Sequence, residues 1–69
     1  MVNEHRALDR IAYSLDSFAE AVDLSKEAIR QEIKANRLTP SFFGGKPLIM
    51  REEGERWLRS LPAEAWKRS

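Results

Sequence analysis

The chain has 69 residues, with 12 Lys and Arg against 11 Asp and Glu, 42% apolar residues and no cysteine. A chain this short builds one small domain and buries only about 60% of the surface its unfolded form exposes, which leaves little material for a deep catalytic cleft beside a core. The lack of cysteine excludes a disulfide scaffold and a thiolate zinc site, a single His5 cannot build a metal cluster, and no catalytic residue, metal or cofactor is expected.

The first dozen residues are weakly patterned, and Leu8, Ile11 and Ala12 make either a short helical turn or a frayed end. Residues 1–12 therefore read as an N-terminal extension. They are polar and of mixed charge, unlike a signal peptide, and no apolar run approaches the roughly 18 residues that span a bilayer. A soluble, cytoplasmic protein with no membrane partner is expected.

Ser17-Phe18-Ala19-Glu20 has the form of a capping box and predicts a helix starting at residue 16 or 17. Asp23 interrupts it, and Ser25 reads as the N-cap of a second helix over Lys26 to Ala35, with Ile29 and Ile33 on one face. Asn36 is the expected left-handed stop. Beyond it Pro40, Phe42-Phe43, Gly44-Gly45 and Leu48-Ile49-Met50 predict a two-stranded hairpin. Period-two alternation sets Ser41 and Phe43 on one face, Leu48 with Met50, and Phe42 with Ile49 pointing the other way. A third helix is expected from about Arg51 to Ser60, with Glu52 and Glu53 at its start, Trp57, Leu58 and Leu61 on its packing face, and Pro62 beyond its end. Gly54 weakens that helix by about 1 kcal/mol relative to Ala. Residues 62–69 form a basic tail in which Trp66 either anchors on the third helix or accompanies Lys67 and Arg68 to a partner.

The near-neutral total hides a gradient. Residues 1–24 set Arg6 and Arg10 against Glu4, Asp9, Asp16, Glu20 and Asp23, a net −3. Residues 25–46 set Lys26, Arg30, Lys34, Arg37 and Lys46 against Glu27 and Glu32, a net +3. With Phe18, Val22, Leu24, Ile29 and Ile33 filling the angle between the first two helices, and small Ala19 at their crossing, the outward side of the second helix carries Ser25, Lys26, Glu27, Arg30, Gln31 and Lys34. Arg and Lys suit guanine edges or phosphates, Gln suits adenine and Ser suits phosphate oxygens. Lys46 beside the Gly44-Gly45 tip is placed to reach the adjacent minor groove or backbone. A purely structural pair of helices with a mixed-charge face is the competing reading.

Taken together, Tyr13-Ser14-Leu15, Leu24-Ser25-Lys26, Asn36-Arg37-Leu38, Gly44-Gly45-Lys46 and Arg51-Glu52-Glu53, at their mutual spacing over residues 13–61, resemble the excisionase-type winged helix-turn-helix domains related to the MerR family. The resemblance implies a mostly α fold with a small β-hairpin as a wing, in a phage or mobile-element protein acting on DNA in a bacterial host. It further implies a recombination directionality factor that binds and bends double-stranded DNA at attachment-site repeats and directs an integrase toward excision. DNA-contact roles then fall on Ser25, Lys26, Glu27, Arg30, Gln31, Lys34, Arg37 and Lys46. Glu27, Asn36 and Pro47 depart from the family pattern, which more often has a small hydroxyl residue, a glycine and a basic residue there.

Phe42 and Ile49, if both face solvent, suit contacts between copies on adjacent DNA sites; a register slip of one residue would bury them instead. Tyr13 and Trp57 read as core residues. The same fold would also serve a small transcriptional regulator at an operator, although 69 residues leave little space for an effector domain. A module that binds only protein, or an enzyme built on Glu52, Glu53 and Glu55, fits less well.

Overall fold

The computed structural model describes residues 8–63, which form three helices and a three-stranded antiparallel sheet. The elements are β1 (Ala12–Ser14), α1 (Leu15–Ala21), α2 (Lys26–Lys34), β2 (Ser41–Phe43), β3 (Lys46–Met50) and α3 (Arg51–Ser60). The sheet order is β1-β3-β2, so the strand that follows the Gly-Gly turn lies in the centre.

Of the stretch expected to be a helical turn or a frayed end, Ala12 begins a strand, while Leu8 and Ile11 lie in neither helix nor strand. β1 pairs with β3 in the register Ala12↔Met50, Tyr13↔Ile49 and Ser14↔Leu48. Tyr13 supplies the reason. Its ring is buried against Phe18, while its hydroxyl accepts from the Asp9 and Arg10 amides at 2.9 and 3.0 Å. That satisfies the polar tip of a buried aromatic and ties the preceding chain down. Leu8 also enters the core, so the packed unit begins before residue 13.

α1 starts at Leu15, one or two residues before the start that the Ser17 box suggested. Ser14 is its N-cap and accepts from the Ser17 amide at 3.1 Å, so Ser17 occupies the N3 position. The strand ends at Ser14 and the helix begins at the next residue, which leaves no linker in which Ser17 could act as the cap. α2 begins as expected, with the Ser25 hydroxyl oxygen accepting from the Ala28 amide at 3.0 Å. Both helices close in the same way. Leu24 N–H donates to Ala19 O and Asp23 N–H to Glu20 O, with Asp23 at φ 63; Arg37 N–H donates to Glu32 O and Asn36 N–H to Ile33 O, with Asn36 at φ 64. These are paired Schellman closures in which Asp and Asn fill the left-handed position that glycine more often takes.

The hairpin turns at Gly44-Gly45, where Gly44 has φ 61, a value that suits glycine at the first central position. β2 and β3 pair Ser41↔Leu48, Phe42↔Pro47 and Phe43↔Lys46. The expected grouping of side chains holds, but inside and outside are reversed at Ile49. Ile49 sits on the central strand opposite Tyr13 and is fully buried, so it offers no surface for a partner. Phe42 shares its face but lies on the edge strand and is 65% exposed.

α3 spans Arg51–Ser60 as expected. Trp57, Phe18, Ile29, Leu38 and Ile49 are the large fully buried side chains, with Phe18 tilted against the Trp57 ring at 5.8 Å between centroids. Val22 and Ile33 are half-buried against this core, whereas Leu24 and Leu61 are exposed rather than packed. Gly54 is required by proximity: a Cβ there would lie 2.7 Å from Phe18 Cε1 and 3.0 Å from Leu8 Cδ1. Its helix-weakening effect is the condition for α3 to close on Phe18. No helix among the described residues is long and apolar enough to cross a membrane. The basic tail with Trp66, Lys67 and Arg68 lies outside the described residues.

Candidate functional site

The exposed side of α2 and the hairpin stand next to each other. On a helix of 3.6 residues per turn, Lys26, Arg30, Lys34, Glu27 and Gln31 occupy one contiguous arc, and Ile29 marks the buried side. A groove of about 420 Å³ runs between this arc and the hairpin, with Arg30, Gln31 and Lys34 on the helix side and Pro40, Phe42 and Pro47 on the other. A smaller concavity of about 230 Å³ adjoins it, where Lys26 and Arg30 of α2 meet Lys46 and Pro47 of β3, with Ser14 and Asp16 at its edge. Residues distant in sequence thus bring four of the expected cations to one surface.

The ion pairs among the described residues are Lys26 with Asp16 at 2.9 Å, Arg37 with Glu32 at 2.9 Å and Arg56 with Glu53 at 2.6 Å. Arg30, Lys34 and Lys46 take part in none of them. Glu27 accepts from the Gln31 amide nitrogen at 3.3 Å, an exposed contact along the helix that a competing partner can replace. Ser25 uses its oxygen as a cap acceptor and keeps a hydroxyl hydrogen to donate.

Arg37 is placed differently from the other expected contacts. Its guanidinium forms a two-pronged contact with Glu32, Nε to Oε1 at 3.0 Å and Nη2 to Oε2 at 2.9 Å, and Glu32 Oε1 also accepts from the Trp57 indole at 3.0 Å. Glu32 lies across the helix from Arg30, so Arg37 lines neither groove nor concavity. These contacts hold the Glu32 carboxyl down to about 2, chiefly through the Arg37 hydrogen bonds and then through the Trp57 N–H. The same pairing raises Arg37 above its ordinary value.

A second pair continues this structure. Arg56 donates to Glu53 and to the Arg37 carbonyl oxygen, and Glu53 accepts from the Thr39 amide at 2.9 Å. Arg56 holds Glu53 below the usual carboxylate range, with the Thr39 amide adding to the effect. These charges tie the loop after α2 to α3. Sequence reading missed them because Glu32 and Glu53 look like ordinary exposed helix carboxylates; the one available signal was the short span between Glu32 and Arg37 across the Asn36 stop.

Among the described residues no group of three His, Asp or Glu side chains is placed to hold a metal ion. No protein-family model, curated protein or solved structure matches this chain.

Proposed function

We propose that the protein binds double-stranded DNA as a winged helix-turn-helix module, with α2 in the major groove and the β2–β3 hairpin as the wing. The observation that carries this reading is the continuous exposed surface on which Lys26, Arg30 and Lys34 of α2 and Lys46 of β3 meet. Such a surface follows the phosphate backbone, while Gln31 and Glu27 have the hydrogen-bonding groups that distinguish base edges. The helix presents its polar arc outward because Ile29 and Ile33 pack it against the core.

Within this reading the resemblance to excisionase-type domains favours an architectural role. Copies on neighbouring repeats bend the DNA and favour the excisive arrangement of an integrase, with no chemistry of their own. Bending a site of 20–30 base pairs costs on the order of 1–6 kcal/mol, more readily met by several cooperating copies than by one. Phe42, exposed on the edge strand, remains available for contact with another copy or an integrase, whereas Ile49 does not.

The test is footprinting of the protein on attachment-site DNA over a range of salt. The proposal expects phased direct repeats filled cooperatively, with a log–log salt slope of about −3 to −4 per copy from four cations. A single palindromic site would instead identify an operator-binding regulator, and the absence of duplex binding would overturn the proposal.

A further inference from the structure

We infer that Lys26, Arg30 and Lys46 form one seat for a single backbone phosphodiester, and that Asp16 occupies the Lys26 ammonium until DNA displaces it. The inference rests on the duplex-binding reading and assigns a distinct task to part of that surface. Three cations from two elements border the same concavity, and among the described residues the one carboxylate at its edge is Asp16. Like charges gathered in this way favour an anion between them. Asp16 reaches Lys26 from the first turn of α1, at 2.9 Å, and both side chains are well exposed, at 74% and 43%. An exposed pair of this kind adds little stability and exchanges readily for another anion. A phosphodiester carries the same single negative charge as the carboxylate, so Lys26 can pass from one to the other without losing its partner.

Two consequences follow. The seat fixes the position of the helix on the duplex and carries no base preference, which leaves discrimination to Gln31 and Glu27 in the neighbouring groove. Asp16 also opposes binding by holding the Lys26 ammonium, which the phosphate must take from it. It therefore limits affinity for all duplexes alike and keeps non-specific binding low.

The experiment measures binding of the full chain to a fluorescent mixed-sequence duplex at 0.1 M salt, together with the melting midpoint of each variant. Asp16→Asn should bind about three- to tenfold more tightly than wild type, while Glu20→Gln, the same change of net charge outside the concavity, should change affinity less than about twofold. The gain should vanish in a Lys26→Gln background, because the ammonium that Asp16 restrains is then missing. Asp16→Ser should give the same order if the amide disturbs the start of α1. A gain no larger than that of Glu20→Gln, or one that persists without Lys26, overturns the inference and leaves duplex binding standing. Failure of the wild-type chain to bind any duplex overturns both.

Discussion

On one side of α2, Glu32 bonds to Arg37 and to the Trp57 indole, and the loop after the helix is held to α3 through Arg56 and Glu53. On the other side, Arg30 and Lys34 line a groove, and neither is paired with a carboxylate among the described residues. Arg30 and Arg37 belong to the same basic stretch of sequence, yet one is available to a partner and the other holds the fold together. The difference comes from where the helix ends. Asn36 reverses the chain at φ 64, and this turn carries Arg37 back onto Glu32. Net charge along a sequence therefore overstates the cations available for binding wherever a helix stop folds one of them back.

The strongest way to break this comparison is at the centre of the bonded side. Trp57→Ala removes a buried indole and the N–H partner of Glu32. Loss of a large core aromatic costs about 3–5 kcal/mol. A domain of this size has a stability of about 3–10 kcal/mol, so thermal unfolding should show the midpoint lowered by roughly 12–40 °C. Gly54→Ala comes next. Its helix-propensity gain of about 1 kcal/mol is opposed by overpacking of about 1–3 kcal/mol, because the new methyl meets the buried Phe18 ring. Chemical denaturation should show net destabilisation, the opposite of what a solvent-facing glycine in a helix would give.

A smaller effect is expected from acid. Glu32 is held at about 2 in the folded chain against an ordinary 4.5, so its contribution to stability is complete above pH 4.5 and is lost as the pH falls toward 2. Glu53, lowered in the same sense, adds to the loss. The melting midpoint should therefore fall with pH in that window. Glu32→Gln should flatten the fall while starting from a lower midpoint at neutral pH.

Much of the scaffold was legible in the residues themselves. Ser25, Asn36, Gly44-Gly45 and the span of α3 are local signals, because a cap, a left-handed stop, a two-residue turn and an amphipathic helix are set by near neighbours. The features that escaped are set by partners far along the chain. β1 is three residues long and shows no period; its pairing with Leu48, Ile49 and Met50 of β3 makes it a strand. Ile49 itself has the same alternation as Phe42, and burial separates them because one strand is central and the other is an edge. At the site, the arc of α2 could be read from its period, whereas the commitment of Arg37 to Glu32 and of Lys26 to Asp16 required the fold.

The most direct test of the two-sided account compares duplex affinity and melting midpoint for Arg30→Ala/Lys34→Ala and for Arg37→Ala. The double change on the open side should lower affinity by about 10- to 100-fold, with the midpoint nearly unchanged. Arg37→Ala should lower the midpoint and retain affinity at temperatures where the chain is folded. Equal loss of affinity in both, or no affinity for duplex DNA in the wild-type chain, would contradict the account.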